Sequence, residues 1–328
     1  MANASGATVA NSPTTLCVVM PALNEEATIA DVIRQVPEDI HGVSKVIIIV
    51  VDDGSTDGTR LAALSAGAQV VSHPDNRGLG AAFHTGVRKA IELGADYLVN
   101  IDSDGQFNPE DIPKLLQPLM DARADCVTAS RFIHKDYYPD MGAVRFYGNR
   151  MMSALISFLS GKKYYDVSCG FRAYTRDTLL QLNLFGEFTY TQETFLDLTF
   201  KGLRILEVPI KTRGERPVGR SRVASNILRY AYNTGKIILR TFRDYYPLRV
   251  FGFVAAILLA GATALSCFLL IHYARTGGFT PHKWAGLTGG FLAGAGFMIL
   301  VAGFIADMLV RIRINQERIL YMLRKRGR

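Results

Sequence analysis

Two long apolar runs in the last third of the sequence constrain this chain more than any other feature. Residues 250–274 contain no Asp, Glu, Lys or Arg over 25 positions, and residues 284–306 contain none over 23. A helix of about 20 apolar residues is long enough to cross the hydrocarbon core of a bilayer. The sequence therefore predicts two transmembrane helices, preceded by enough chain for a separate domain of roughly 200 residues.

The positive charge of the chain is concentrated beside these two runs. Residues 211–249 hold ten Lys and Arg against two acidic residues, and residues 311–328 hold seven against one. The connection between the runs offers only Arg275, His282 and Lys283. Because positive residues mark the cytoplasmic side, we expect the N-terminal domain and both termini in the cytoplasm. A charge so placed favours anionic membrane lipids over nucleic acid as the partner.

The N-terminal part of the sequence alternates between strand-like and helix-like segments. The first fifteen residues are small and polar and predict no secretory signal. From Leu16 to about Ala129, the apolar runs LCVVMP, KVIIIVV, AQVVSH, YLVNI and DCVTA are separated by helical stretches. This order predicts a doubly wound, mostly parallel α/β sheet, in which ligands bind beyond the carboxyl ends of the strands.

The rest of the sequence before the apolar runs is less regular. An amphipathic stretch at 145–159, the segment DVSCGFRAY, a helix at 191–201 and the strand RILEVPI indicate a second half of the same domain. Basic residues then recur every seven positions from Arg222 to Arg243 among apolar ones, which is typical of an amphipathic interface helix, and Pro247 marks its end. We divide the chain into a flexible N-terminus (1–13), an α/β domain (14–212), a juxtamembrane amphipathic segment (213–248), a two-helix transmembrane hairpin (249–310) and a basic cytoplasmic tail (311–328). Within the second run, Gly290 and Gly294 form a GxxxG pattern, a candidate helix-packing face.

Two carboxylates follow the predicted strand YLVNI directly. On extended backbone the side chains of Asp102 and Asp104 point to the same side, so they can share one divalent ion, and Gln106 offers a third oxygen. Mg²⁺ and Mn²⁺ prefer a few carboxylate oxygens, with water and a substrate phosphate completing the shell. For an isolated motif of this kind, a polar turn that caps the next helix is the alternative.

Polar residues also follow the first two predicted strands, in the segments PALNEE and VVDDGSTDGT. No Gly-rich phosphate turn stands after the first strand, which argues against a Rossmann dehydrogenase. Asp53 is a candidate for binding a nucleoside, because a carboxylate accepts hydrogen bonds from base or ribose donors. Asp52 has a structural role in this interpretation, and Asp57 is a candidate helix cap.

Taken together, these segments resemble the inverting family-2 glycosyltransferases of GT-A fold, whose sheet is Rossmann-like and mostly parallel. Within that family they are similar to the polyprenyl-phosphate sugar transferases, which include dolichol-phosphate mannose synthase and bacterial undecaprenyl-phosphate glucosyltransferases. The resemblance covers roughly residues 14 to 245. It is carried by PALNEE, VVDDGSTDGT, NRGLGAAFHTG, NIDSDGQ, SRF, CGFRAY, QET and RPVGRSR.

The resemblance implies roles for particular residues. Around the donor nucleoside it implies Pro21, Leu23, Glu25, Val51 and Asp53, and around the metal and diphosphate it implies Asp102, Ser103, Asp104 and Gln106. Arg131 would face phosphate, and Arg216 and Arg222 would close over the donor and lipid phosphates. The sequence departs from the family at Leu23, where the family often has an aromatic residue, and at Arg222, where it has a Lys.

The activity implied by this resemblance is a metal-dependent transfer of a sugar from a nucleotide sugar, with UDP favoured, to a polyprenyl phosphate at the cytoplasmic face of the bacterial inner membrane. A phosphate monoester is already largely dianionic near neutral pH, so little need remains for a base. Asp166 and Glu193 stand in motif-like segments and are candidates to orient the sugar or the acceptor. The bacterial relatives further imply a homo-oligomer.

Three other interpretations remain open at this point. The donor of a dolichol-phosphate mannose synthase-like enzyme would be GDP-mannose. A processive polysaccharide synthase would share the paired carboxylates, but the QxxRW motif and the additional spans typical of that class are not found. A nucleotide-binding membrane scaffold without turnover belongs to a different class, and the acidic pair and the arginines argue against it.

Overall fold

The computed structural model describes residues 13–183, 190–213 and 227–326. Two of the candidate phosphate-binding residues, Arg216 and Arg222, lie outside these ranges, as does the chain before residue 13. The chain divides into two compact units, Met1–Ile238 and Leu239–Arg328.

The first unit contains a seven-stranded sheet in the order β3-β2-β1-β4-β6-β5-β7. Its strands are β1 Thr15–Ala22, β2 Lys45–Asp52, β3 Gln69–Ser72, β4 Tyr97–Asn100, β5 Cys126–Ser130, β6 Arg172–Thr175 and β7 Ile205–Pro209. All neighbouring strands are parallel except where β6 pairs with β4 and with β5. The expected mostly parallel sheet is thus confirmed. The antiparallel β6 is an addition that the periodicity of the sequence did not reveal.

The central strands are apolar without interruption because both faces of the sheet are covered. In β1, Leu16, Val18 and Met20 belong to one buried cluster, whereas Cys17 and Val19 belong to a second. Successive side chains of a strand point to opposite faces, so one strand contributes to two cores. This packing makes the sheet a rigid base for the loops at its edge.

The helices of the first unit follow the predicted alternation. They are α1 Ile29–Arg34, α2 Thr59–Ser65, α3 Leu79–Glu92, α4 Ile112–Met120, α5 Ala143–Ser160, α6 Arg176–Gln181 and α7 Thr191–Phe200. The helix α8 Ile227–Tyr245 begins in the first unit and ends in the second. The first helix does not follow β1 directly but begins only at Ile29. Asn24 has a left-handed backbone with φ of 50°, and the following residues form a turn before the helix starts.

The second unit holds two long helices, α9 Pro247–Thr276 and α10 Lys283–Arg326. Both are long and apolar enough to cross a membrane, as the sequence predicted, and Pro247 begins α9 as expected. The helix α10 does not end with its apolar run but continues through most of the segment that we expected to be a tail.

The close packing of α9 on α10 uses glycines other than the predicted ones. An added Cβ at Gly296 would lie 3.0 Å from Leu259 Cγ, and one at Gly303 would lie 2.9 Å from Phe251 Cβ. At Gly290 and Gly294 an added Cβ would meet nothing within 4 Å. The GxxxG pair therefore does not form the packing face of this hairpin.

Candidate active site

The exits of β1 and β4 are joined at one edge of the sheet. Ser103 Oγ donates a hydrogen bond of 2.8 Å to the carbonyl oxygen of Pro21, and Thr28 Oγ1 donates one of 2.9 Å to the carbonyl of Ser103. Pro21 is also in register with Val51 of the neighbouring strand β2. The structure therefore brings together Pro21, Val51 and Ser103, three residues for which the sequence predicts donor binding.

The loop after β1 is bound to the loop after β2 by side chains that accept from backbone N–H groups. Asn24 N donates to Ser55 Oγ at 2.9 Å, and Glu25 N donates to Thr59 Oγ1 at 2.7 Å. Glu25 itself is buried, and the neighbouring Leu23 is half-buried. These bonds hold the candidate nucleoside-binding loops in one conformation.

Asp53 is the centre of a third loop contact. Its carboxylate accepts from Arg77 N at 3.0 Å and from Gly78 N at 2.8 Å, and His73 Nδ1 lies 2.7 Å from Oδ1. A carboxylate has about four acceptor positions, so three protein donors occupy most of them. Asp53 thus fixes residues 73–78 against the end of β2. The same side chain has one remaining acceptor position for a ligand.

Two further features explain how residues 73–78 come so close to the end of β2. Gly54 has φ of 76°, and an added Cβ there would lie 2.7 Å from the carbonyl carbon of Asp75, so only glycine fits. His73 is buried and its Nε2 lies 2.9 Å from Thr85 Oγ1. Since an ionised carboxylate can only accept, Nδ1 of His73 is the donor to Asp53, and Nε2 shares a second hydrogen bond with the hydroxyl of Thr85. The sequence does not identify His73 as part of this contact, because a lone histidine belongs to no motif.

The acidic pair after β4 is held differently from what the sequence indicated. Residues 103 and 104 form a turn instead of extended backbone, and Gly105 follows with φ of 74°. Gln106 N donates to Asp104 Oδ1 at 3.0 Å, and Asp104 is only 5% exposed. Turn geometry, not strand alternation, therefore orients these carboxylates.

Gly170 leaves the space that Asp102 occupies. An added Cβ at Gly170 would lie 3.0 Å from both carboxylate oxygens of Asp102. Among the described residues, no three or more His, Cys, Asp or Glu side chains form a metal-ligand cluster. Two carboxylates with Gln106 nevertheless fit a divalent ion of the Mg²⁺ type, because such an ion keeps several positions for water and substrate phosphate.

Arg131 and Asp166 form a bidentate ion pair next to this loop. Arg131 Nε donates to Asp166 Oδ2 at 2.7 Å, and Nη2 donates to Oδ1 at 3.0 Å. Burial alone would raise the pKa of Asp166, but the charge of Arg131 together with the hydrogen bonds from Arg131 and Ser168 outweighs it and holds that pKa below its usual range. Burial likewise acts to lower the pKa of Arg131, and the charges of Asp166 and, more weakly, Asp102 raise it. Arg131 thus lies within electrostatic reach of Asp102.

This pairing decides what Asp166 can do. Its side chain is completely buried, and it also accepts from Ser168 Oγ at 3.1 Å. Its backbone N–H donates to Glu207 Oε1 at 2.7 Å, which ties the segment to β7. A carboxylate so occupied orients Arg131 instead of abstracting a proton from substrate.

Arg172 is a site residue that the sequence did not single out. It is 1% exposed and its guanidinium donates to the carbonyls of Cys169, Thr191 and Val167 at 2.8–3.0 Å. The ring of Phe195 lies 4.7 Å below it. Arg172 therefore joins the loop before β6 to the start of α7. The segment CGFRAY was recognised as a motif, but nothing local distinguished a buried arginine from a phosphate ligand.

The remaining candidates lie around this framework. Glu193 is 6% exposed in the first turn of α7, the same turn that Arg172 holds. Arg213, the last described residue before the gap that contains Arg216 and Arg222, donates its N–H to the carbonyl of Gln106 at 2.9 Å. The chain that leads to the two predicted arginines is thus attached to the acidic loop.

Residues 17–182 match the family described as Glycosyl transferase family 2, and the chain belongs to that family. Glycosyltransferase AglJ of Haloferax volcanii is 31% identical over 314 residues, covering 93% of this chain and 97% of that protein. The polyprenol monophosphomannose synthase of Mycolicibacterium smegmatis is 32% identical over 235 residues, covering 69% of this chain and 86% of that protein. The resemblance inferred from the sequence motifs is confirmed.

Solved structures agree with this membership. Glucosyl-3-phosphoglycerate synthase from Mycobacterium tuberculosis, crystallised with Mn²⁺, uridine diphosphate and glucosyl-3-phosphoglycerate, matches with a TM-score of 0.54 and 27% identity. The match covers 71% of this chain and 80% of that one. The α/β unit therefore has the GT-A fold.

Proposed function

We propose that this chain is an inverting glycosyltransferase that moves a sugar from a nucleotide sugar to a polyprenyl phosphate, giving a polyprenyl-phosphate monosaccharide. The observation that carries the proposal is the acidic turn of Asp102 and Asp104, in which Asp102 lies within electrostatic reach of Arg131 in its pair with Asp166. An acidic pair suits a cation on a diphosphate, and a fixed arginine next to it suits a second phosphate. The relative from Mycolicibacterium smegmatis, by its name, acts on a polyprenol phosphate.

The donor would lie over the joined loops after β1 and β2. Pro21, Leu23, Glu25 and Val51 would contact the nucleoside, and Asp53 would use its remaining acceptor position. Asp102, Asp104 and Gln106 would hold Mg²⁺ or Mn²⁺, which supplies charge neutralisation for the departing diphosphate. A UDP-sugar is favoured because the structural neighbour was crystallised with uridine diphosphate. GDP-mannose is the alternative, which the name of the mannose synthase relative supports.

The chain's own residues then need only to position the acceptor. Arg131, held by Asp166, would bind the lipid phosphate, and Arg216 and Arg222 would add positive charge. An oxygen of that phosphate forms the new bond to the anomeric carbon while the bond to the diphosphate breaks and its electron pair leaves with the diphosphate. Because the phosphate is already largely ionised, positioning and charge carry the reaction without a strong base. Glu193 would orient the sugar or the acceptor.

The membrane arrangement is part of the proposal. The helices α9 and α10 would anchor the chain in a bacterial inner membrane, with the catalytic domain and both termini in the cytoplasm and the basic flanks against anionic lipids. The homo-oligomer implied by the family resemblance stays a prediction. A nucleotide-binding scaffold without turnover is the competing function, and it predicts binding of nucleotide sugar without any lipid product.

The test is a transfer assay on the purified full chain in lipid bilayers. Radiolabelled UDP- and GDP-sugars are offered with polyprenyl phosphate and Mg²⁺ or Mn²⁺, and the lipid product is counted. We expect product, its loss on chelation, and its return with added metal. The variant Asp104→Asn should lose about 10²–10³-fold in rate, whereas Asp121→Asn, on the exposed end of α4, should not change it.

Each outcome of this assay has one meaning. No lipid product with any nucleotide sugar would leave the scaffold as the better function. Ordinary rates in Asp104→Asn would instead remove the metal assignment and keep the enzyme. The donor base is resolved separately by measuring which nucleotide sugar protects the chain against thermal unfolding, since a bound ligand raises the melting temperature.

A further inference from the structure

The helix α5 carries a stripe of large apolar side chains on its outer face. Phe158 is 84% exposed, Tyr147 and Met151 are each 70% exposed, and Val144 and Leu155 are also exposed. Their spacing of three or four residues places all five on one side of the helix. Single exposed apolar residues are ordinary on a protein surface, but a continuous stripe marks a surface that contacts something. We call these five residues the outer stripe.

The inner face of the same helix supports the loop that orients Arg131. Asn149 Oδ1 accepts from Ser168 Oγ at 3.0 Å, and Ser157 Oγ accepts from Tyr164 N at 2.9 Å. Ser168 in turn contacts Asp166 and lies 3.3 Å from Arg131 Nη2. Whatever fixes α5 from outside therefore also fixes the depth and direction of this arginine.

The charges on α5 and in the turn that follows it are of one sign. Between residues 141 and 165 the sequence has no Asp or Glu, and its four basic residues Arg145, Arg150, Lys162 and Lys163 are all exposed. Long basic side chains can lay their methylene stems along an apolar surface while the charged ends reach lipid phosphates. Tyr147 has the amphipathic ring that is enriched at membrane–water interfaces.

We propose that α5 docks along the surface of an anionic bilayer, with the outer stripe in the boundary between headgroups and acyl chains. The same chain carries two helices long enough to cross a bilayer, so a bilayer is at hand. A second copy of the chain fits this surface less well. A two-fold contact brings the same patch of each copy together, and here it would oppose basic residues with no acid among them.

The docking has a consequence for the reaction, and this part rests on the proposed function. A lipid acceptor keeps its phosphate at the depth of the headgroups. A helix that lies at that depth and holds the Ser168, Asp166 and Arg131 network brings the guanidinium to the height of the acceptor phosphate. The outer stripe thus selects phosphates that lie in a membrane over those free in water.

A fluorescence experiment tests the docking without relying on activity. Trp284 is the single tryptophan of the chain, so Phe158→Trp in a Trp284→Phe background reports on the outer stripe alone. The full chain is reconstituted in bilayers containing lipids brominated near the headgroup end of the acyl chains. The matched control is Leu61→Trp in the same background, because Leu61 of α2 is also 70% exposed.

We expect the brominated lipids to quench the tryptophan at 158 and to leave the one at 61 unchanged. Quenching at 158 should be stronger in equimolar phosphatidylcholine and phosphatidylglycerol than in phosphatidylcholine alone. No quenching at 158, or equal quenching at both positions, overturns the proposal. An unquenched but blue-shifted emission at 158 also overturns it, because that result indicates burial against a second copy.

A second measurement tests the link to the acceptor. The double variant Met151→Ser with Phe158→Ser is compared with Leu61→Ser and Leu64→Ser, which remove two exposed apolar residues from α2. Transfer to a long polyprenyl phosphate in bilayers should fall about tenfold in the first pair, which corresponds to about 1.4 kcal/mol of lost docking, and stay unchanged in the second. Transfer to a short, water-soluble phosphate acceptor should be unchanged in both. Equal transfer to the long lipid by both pairs would contradict the coupling, while failure of every variant and of the parent chain would contradict the proposed function instead.

Discussion

The two halves of the α/β unit differ in the side chains that order their loops. In the half around β1, β2 and β4, acidic side chains accept from backbone N–H groups, as Asp53 does from Arg77 and Gly78 and Asp104 does from Gln106. In the half around β5 and β6, arginines organise the loops, and Arg172 alone donates to three carbonyls. Carboxylates order the loops of the first half, whereas in the second half guanidinium groups and carboxylates act together, since Glu207 accepts from Tyr165 N and Asp166 N.

The difference suggests how one edge of the sheet could bind both a divalent cation and a phosphate under the proposed function. In that function, the acidic loop after β4 would hold the cation, and Arg131 would supply positive charge for a phosphate. The antiparallel β6 makes the arrangement possible, because its entry lies at the edge where β4 and β5 have their exits. Gly170, just before β6, therefore meets Asp102, just after β4.

The largest expected effect comes from removing the arginine that closes the second half. Arg172→Met leaves three buried carbonyls without their donor, and we expect it to lower the free energy of unfolding by about 4 kcal/mol or more. Thermal unfolding of the full chain in detergent measures this. Arg204→Met is the control, since Arg204 is exposed on the surface, and it should change the melting temperature little. Similar melting of both variants would show that Arg172 does not organise this half.

Asp166→Asn sharpens the comparison through its dependence on pH. The folded-state pKa of Asp166 is lowered, so its contribution to stability is complete above its unfolded pKa of about 3.9 and is lost as pH falls through the folded value. We expect the variant to be about 3 kcal/mol less stable at pH 7. The difference from the parent should shrink steadily below about pH 4. A difference that grows in acid would mean that the ion pair is not the stabilising interaction.

Gly170→Ala tests the contact between the two halves. Its Cβ would press on both carboxylate oxygens of Asp102, so we expect transfer to fall about tenfold, equivalent to about 1.4 kcal/mol, and the metal concentration for half-maximal rate to rise. Gly148→Ala on α5, where an added Cβ meets nothing within 4 Å, should keep the parent's rate. Unchanged metal dependence in Gly170→Ala would show that Asp102 can move without loss of its role.

The smallest expected effect concerns the first half and the buried histidine. Asn at position 73 can place a donor where Nδ1 lies, whereas Gln can place one only where Nε2 lies. His73→Gln should therefore loosen residues 73–78 by about 1 kcal/mol and raise the donor KM about fivefold with kcat nearly unchanged. His73→Asn should stay closer to the parent. The reverse order of the two variants would place the important contact at Thr85 instead of Asp53.

The first half could be read from the sequence because its information is local. Each strand from β1 to β4 is a short apolar run, and the candidate residues Pro21, Asp53 and Asp102 stand directly at or after a strand end. Even so, the carboxylates were assigned to ligands alone, while the structure shows that Asp53 also closes a loop more than 20 residues away. In a sequence, an Asp that accepts hydrogen bonds from backbone N–H groups cannot be distinguished from an Asp that binds a ligand.

The second half could be read only in part because its information is not local. Arg131 and Asp166 are 35 positions apart, and β6 is four residues long without strict alternation. The arginines of CGFRAY and SRF look equally suited to phosphate, yet Arg172 is closed off by carbonyls and an aromatic ring. Only the fold distinguishes Arg172, whose guanidinium holds backbone carbonyls, from Arg131, which we propose to bind phosphate.

The uninterrupted helix α10 limits how its distal charges can be used. A helix of 44 residues is about 66 Å long, which is about twice the thickness of the hydrocarbon layer that it is long enough to cross. Its basic residues from Arg311 to Arg326 are spread over about 22 Å of axis, so they cannot all sit at one height. Deleting seven residues from this stretch would keep the angular phase of the remaining C-terminal turns and withdraw them by about 10 Å. The length of the helix would then set how far its last basic residues lie from the apolar run. Binding of a partner to that end would depend on the length of the helix more than on the identity of its residues.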